Sequence, residues 1–256
     1  MTGSAAITLA LDGPLAVATL ARAPVNAIDE AWLECLAQKL DAVEAAAGVA
    51  CLLVRSSARA FCAGADLALM RSRFASADGR ARMVAFVREL QRVYARLERL
   101  PVATIAEIGG PAMGGGLELA LACDLRIAAE DARLGLPEAR LGLLPGAGGT
   151  QRLTRIAGEA LAKRLILRGE VIDGREAAAL GLVQWAVPAA ELPARARALA
   201  AEVAALPPGA LAACKRCIDA ALRDGDGYEG EVLGTAELLA SAETQRRVRA
   251  FLEKRH

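Results

Sequence analysis

Glycines crowd the approach to two glutamates. The first stands in Met113-Gly114-Gly115-Gly116-Leu117-Glu118-Leu119, the second in Gly135-Leu136-Pro137-Glu138-Ala139-Arg140-Leu141-Gly142. Glycines at a helix entry let a ligand come closer to the backbone than a Cβ would allow. The first amides of that helix have no partner inside it and can face a ligand oxygen. The same pattern also makes a plain strand-to-helix turn. Pro137 suits the first turn of a short helix and Glu138 the same turn, where the helix dipole stabilises a carboxylate. A third stretch, Ala60-Phe61-Cys62-Ala63-Gly64-Ala65-Asp66-Leu67, has small residues that leave amides accessible and an aspartate suited to cap the next helix. It too is compatible with a structural role alone. Gly146-Ala147-Gly148-Gly149-Thr150 superficially suggests a phosphate loop, but it lacks the Walker lysine and follows no strand, so nucleotide hydrolysis is rejected.

The chain has a single histidine, His256, and it is the last residue. Ser-His-Asp triads, Cys-His dyads and His-ligated metals are therefore all but excluded. Acid–base work near neutral pH falls to carboxylates, Lys, Tyr or Cys. Six cysteines (Cys35, Cys51, Cys62, Cys123, Cys214, Cys217) are scattered through expected core elements, which favours reduced, packed thiols over a disulfide framework. Cys214 and Cys217 form a C-x-x-C, yet Lys215 and Arg216 lie between them in an Ala-rich helix and no second pair exists. Two thiols on a helix is the preferred reading, and no metal is expected.

The elements that would carry these residues follow from periodicity. Residues 7–11 and 15–20 are apolar runs around Asp12-Gly13-Pro14, which predicts a hairpin. A helix over 29–47, a strand over 50–55 and a small-residue loop over 56–64 come next, then an Arg-rich polar helix over 79–100. Pro101 ends that helix before a strand over 102–108; the glycine-dense turn 109–116 feeds a helix over 117–123, and 125–129 returns as a strand. From Pro137 onward helices dominate. Alternation up to residue 135 implies an α/β fold of parallel strands with crossover helices. No low-complexity linker interrupts the chain. The expected division is a core over 1–190 and a helical region over 191–256 that packs on a neighbouring subunit.

The chain of 256 residues is 55% apolar, enough for a sizeable core, and its 31 Lys plus Arg nearly balance 30 Asp plus Glu. That balance argues against a polyanionic partner such as nucleic acid. The first residues lack a secretory pattern and the Arg-rich amphipathic character of a transit segment, and no stretch reaches the roughly 18 apolar residues of a membrane helix. A cytoplasmic protein without membrane attachment is expected.

Taken together, Phe61-Cys62-Ala63-Gly64-Ala65-Asp66-Leu67, the segment from Ala112 through Glu118 to Ala129, and the segment from Gly135 through Glu138 to Leu153 resemble, in order and spacing, the enoyl-CoA hydratase/isomerase (crotonase) superfamily. The similarity runs from about Arg22 to Arg255. It implies a spiral of ββα units with a helical C-terminal trimerisation region, trimers pairing into hexamers, and an acyl-CoA thioester as substrate. No cofactor is implied beyond the coenzyme A of that substrate. By the same resemblance, the amides of Ala65 and Gly115 form the oxyanion hole, a device worth about 3 kcal/mol per donor. Glu118 and Glu138 hold the attacking water and handle its protons, and Gly146 places another amide near it. Ala63, Asp66, Leu67 and Ala68 lie along the coenzyme, Ala23 and Pro24 form its other wall, and Phe251 and Lys254 cap the nucleotide from an adjacent protomer. Fixed dipoles stabilise a thioester enolate without a titrating group, so this chemistry needs no histidine, metal or serine nucleophile.

Certain positions depart from the family pattern. Glu107 stands where a small apolar residue is usual, Gly109 replaces a polar one, and Arg246-Arg247 replaces an acidic residue and a glycine. The first two are expected to alter the pocket, whose wall is placed in 67–85. Both glutamates together point to a hydratase of trans-2-enoyl-CoA, with an isomerase or another acyl-CoA lyase as the alternative. Similarity to methylglutaconyl-CoA hydratases brings in RNA binding as a reading from another class. The arginines from Arg71 to Arg99, diluted by Glu89 and Glu98, read instead as a solvated helix face.

Overall fold

The computed structural model describes residues 5–74, 76–221 and 227–253. Strands β1 (Ile7–Asp12) and β2 (Leu15–Leu20) form the expected antiparallel hairpin, with Asp12 opposite Leu15 at its turn. Helix α1 (Glu30–Ala45) starts one residue after Asp29, whose Oδ1 accepts the Trp32 amide at 2.9 Å. Its inward face carries Trp32, Leu33, Leu36, Leu40 and Val43, a spacing that suits one side of a helix. Strand β3 (Cys51–Ser56) runs parallel to β2. It is buried on both faces over Cys51, Leu52, Leu53 and Val54, as expected of a strand inside a parallel sheet.

Helices α2 (Leu67–Phe74) and α3 (Ala77–Glu98) follow. The second is both polar and packed: Phe86, Leu90, Val93, Tyr94 and Leu97 are buried while its arginines face outward. Arg92 pairs with Glu89, and Arg96 with Asp41 and Glu44, so charge on this face is locally answered. That matches a solvated helix face.

A strand–strand–helix unit then repeats. Strand β4 (Ala103–Ile108) leads through β5 (Ala112–Met113) into α4 (Gly115–Leu121). Strand β6 (Leu125–Ala129) leads through β7 (Arg133–Gly135) into a 3-10 helix at Pro137–Leu141. Helix α5 (Gly149–Leu167), β8 (Val171–Asp173), α6 (Gly174–Ala179) and β9 (Trp185–Val187) complete the core. The large sheet has six strands in the order β1-β2-β3-β4-β6-β9, parallel from β2 onward, and β5-β7-β8 form a second, three-stranded sheet. This is the ββα spiral the sequence predicts. Strands β8 and β9 were not foreseen, because three residues each are too few to show a period.

Helix α7 (Leu192–Ala204) lies against β3, β4 and β6, burying Leu192, Ala196, Ala200 and Ala204. Helices α8 (Pro208–Ala221) and α9 (Gly227–Ala240) pack on each other, and α10 (Ala242–Glu253) follows. Lys215 of α8 reaches back to Asp124 at 2.7 Å, which also accepts the Thr104 amide and hydroxyl at 2.8 and 2.9 Å. Buried Arg126 closes the C-terminal end of α4 by donating to the Cys123 carbonyl at 2.6 Å and to Leu182 at 2.8 Å. A cation there complements the helix dipole. These bonds fix the C-terminal end of α4, which carries Glu118.

Candidate active site

One isolated bridge joins the segment around Cys62 to that around Ala112, and a second ties Ala65 to Ile28. Ile28 pairs with Ala65 and Cys62 with Ala112, consuming the amides of Ile28, Asp66, Cys62 and Met113. Among the described residues, the amides of Ala65 and Gly115 donate no backbone bond of this kind. Gly115 opens α4, where an amide has no partner within the helix. The two segments touch at glycine: a Cβ on Gly64 would lie 2.8 Å from the Met113 carbonyl and 3.2 Å from the Gly115 nitrogen. Gly64 also has φ +89°, which an L side chain adopts only under strain. Asp66 caps α2 by accepting the amides of Ala68 and Leu69 at 2.8 and 3.1 Å.

Glu118, in the first turn of α4, is only 2% exposed. Its Oε1 accepts the amides of Ala147 and Gly149, both at 2.7 Å, so the loop leading into α5 holds one oxygen and leaves the other available. Burial, joined by the nearby Glu138 charge, pushes its carboxyl up to about 7, against the pull of the two amides. Glu138, in the 3-10 helix, is also raised by burial, and among the described residues its buried Oε2 has no hydrogen-bond partner. Gly114 makes room for it, since a Cβ there would lie 2.9 Å from Glu138 Oε1.

Both glutamates sit in first turns, where the dipole favours the charged form, and burial works against it at each. A rise from 4.5 to about 7 at Glu118 amounts to on the order of 3 kcal/mol against the charge. A helix N-terminus typically returns roughly 0.3–1 kcal/mol. Desolvation wins.

Both carboxylates line a cavity of about 240 Å³, together with Ala63, Ala65, Gly115 and Gly146. The rest of its wall is apolar: Met70, Met83, Val87 and Leu90 from α2 and α3, Leu141 at the end of the 3-10 helix, and Leu143 and Leu144 after it. The wall thus extends well beyond 67–85. Glu107 and Gly109 do not line it, contrary to the expectation that they shape the pocket. Glu107 instead lies buried in β4 with Arg55 at 3.5 Å, and Gly109 faces Leu192.

Among the remaining expected residues, Ala23, Pro24, Asp66 and Ala68 do not line the cavity. Ala23 and Pro24 are exposed in a turn whose neighbour Val25 accepts the Ala63 amide at 2.9 Å, so the two expected coenzyme walls run side by side. Leu67 opens α2, and Phe251 lies in α10. Lys254 lies outside the described residues. All six cysteines are free; burial pushes Cys51, Cys62 and Cys123 up to about 12. Among the described residues, no group of His, Cys, Asp and Glu is placed to hold a metal ion, and no helix is long and apolar enough to cross a membrane. Sequence reasoning missed Gln91, Tyr94 and Arg152, whose bonds reach the site backbone. The only signal was their common face on α3 or their place near a glycine loop.

The family model described as enoyl-CoA hydratase/isomerase matches residues 12–256, and the chain belongs to that family. It is 42% identical over 255 residues to a protein of Bacillus subtilis (strain 168) named "Probable enoyl-CoA hydratase", covering 98% of this chain and 96% of that one. It is 45% identical over 159 residues to the mitochondrial methylglutaconyl-CoA hydratase of Mus musculus, covering 62% of this chain and 49% of that one. The crystal structure of an enoyl-CoA hydratase from Bacillus anthracis superposes with a TM-score of 0.89 at 34% identity, over 97% of this chain and 96% of that one.

Proposed function

We propose that the protein is an enoyl-CoA hydratase, a lyase that adds water reversibly to a trans-2-enoyl-CoA to give a 3-hydroxyacyl-CoA. One observation carries the reading: the carboxyls of buried Glu118 and half-buried Glu138 line the same apolar cavity as the amides of Ala65 and Gly115, which among the described residues donate no backbone bond outside helices and strands. The thioester oxygen sits between the amides of Ala65 and Gly115, which stabilise the enolate charge as it forms. Glu118 and Glu138 hold water over the β-carbon, and burial raises both carboxyls. One takes the proton of water while the other delivers a proton to the α-carbon. Gly146 contributes its amide beside that water. An isomerase needs one carboxylate to carry a proton between carbons, so a second one held by two amides favours hydration. RNA binding is not favoured, because Arg82, Arg92 and Arg96 are ion-paired to acids of the same fold.

The coenzyme A moiety runs between Ala23-Pro24 and Ala63, Asp66, Leu67 and Ala68, with Phe251 and Lys254 of an adjacent protomer over the nucleotide. A core over 1–190 and a helical region over 191–256 make a homotrimer or a hexamer. The exposed Tyr228, Val232, Leu233 and Leu239 of α9 support such an assembly. Free thiols, three of them buried, suit a cytoplasmic setting, and fatty acid metabolism suits the apolar cavity. The test is crotonyl-CoA hydration, followed as loss of the absorbance of the conjugated thioester. A protein that leaves the absorbance of crotonyl- and longer 2-enoyl-CoA thioesters unchanged is not a hydratase.

A further inference from the structure

Gln91, Tyr94 and Glu98 share one face of α3, at the spacing that stacks side chains along a helix. Each ends on a different piece of the backbone around the cavity. Gln91 Nε2 donates to the Gly146 carbonyl at 2.6 Å, and the Tyr94 hydroxyl donates to the Gly115 carbonyl at 3.0 Å. Glu98 accepts from Arg152 Nη2 at 2.9 Å, and Arg152 Nη1 donates to the Ala147 carbonyl at 2.8 Å.

The first contact has a specific chemical meaning. The Gly146 carbonyl and the Ala147 amide are opposite ends of one peptide group, and that amide is one of the two that bind Glu118. A donor on the carbonyl end polarises the peptide and makes its amide a stronger donor. Tyr94 acts similarly on α4: it is fully buried, and it pins the first residue of the helix, whose own amide faces the cavity. None of Gln91, Tyr94 and Glu98 lines the cavity itself.

We infer that this face of α3 is a positioning element for the reaction. Gln91 sets the orientation and acidity of Glu118 through the 146–147 peptide, Tyr94 holds the Gly115 corner of the oxyanion site, and Glu98 acts through Arg152 on the next peptide. The roles assigned to Glu118 and Gly115 rest on the hydratase reading. The contacts do not.

The test uses Gln91→Leu, at an exposed position, and Tyr94→Phe, which keeps the buried ring. In Gln91→Leu the Ala147 amide binds the carboxylate less well, so the pKa governing the pH profile of crotonyl-CoA hydration moves upward. At neutral pH kcat falls about 3- to 10-fold, the worth of one hydrogen bond, with KM little changed. For Tyr94→Phe the readout needs no turnover: the infrared carbonyl band of bound butyryl-CoA, ¹³C-labelled at the thioester, lies closer to its frequency in water than it does in the unsubstituted protein. A pH profile unmoved by Gln91→Leu, or a carbonyl band unmoved by Tyr94→Phe, overturns the inference. If the unsubstituted protein hydrates no enoyl thioester, the hydratase reading falls, and the infrared comparison still decides the role of Tyr94.

Discussion

Glu118 and Glu138 face one cavity with opposite support: Oε1 of Glu118 accepts two amides at 2.7 Å, while Oε2 of Glu138 is buried without a partner among the described residues. One acid is fixed by the backbone, and the other turns its Oε2 away from every described protein donor. Burial raises both, so neither is an ordinary ionised surface carboxylate.

In the proposed hydration, replacing either acid removes half of the proton traffic. Glu118→Gln and Glu138→Gln should each lower kcat for crotonyl-CoA by roughly 10²–10⁴-fold, while butyryl-CoA still binds within a few-fold of its parent affinity by calorimetry. Full turnover in either variant would remove that residue from the mechanism.

The raised Glu118 also costs stability, in a direction that can be checked. Its carboxyl titrates near 4.5 in the unfolded chain and near 7 in the folded one, so between these values the folded state holds the proton and the unfolded state has lost it. Stability is therefore complete below the lower value and declines as pH rises toward 7. Glu118→Gln should gain in melting temperature relative to the parent as pH goes from 5 to 8. A gain that is equal at both ends rules out this account.

Gly64 has no room for a side chain, because the atoms a Cβ would meet are backbone: Met113 oxygen at 2.8 Å and Gly115 nitrogen at 3.2 Å. Gly64→Ala should part the two oxyanion amides and cost about 100-fold in kcat, near the loss of one such donor. Kinetics within threefold of the parent would mean that the two segments need not touch.

Among the described residues, the only ionisable groups on the cavity wall are Glu118 and Glu138, and no basic side chain lines it. A methylglutaconyl group, named for the Mus musculus relative, carries a second carboxylate that this wall would desolvate without a partner. The kcat/KM for glutaconyl-CoA should be at least about 100-fold below that for crotonyl-CoA, a difference of about 2.7 kcal/mol. Comparable values would show that the distal carboxylate reaches solvent.

The motifs that were legible in the sequence are those in which backbone geometry demands a residue type. Gly64 and Gly114 are glycines because a side chain would strike Met113 or Glu138, and Asp29 and Asp66 are caps with measurable amide bonds. The strands β2 to β4 showed as apolar runs because both faces are covered. Other features left no local trace. Gln91 and Tyr94 act on residues far away in the chain, in a helix whose arginines dominate its composition, and β8 and β9 are too short for periodicity. The upward pull of burial on the two glutamates was not legible, because a first-turn position is visible in sequence and burial is not.

Glu118 and Gly115 are held by the main chain and by α3 behind it, whereas Met70, Met83, Leu141, Leu143 and Leu144 only line the cavity. Selection can therefore exchange the second set freely without detuning the first. A scaffold divided in this way can diversify its repertoire of thioesters by single apolar replacements, while the reaction it performs stays the same.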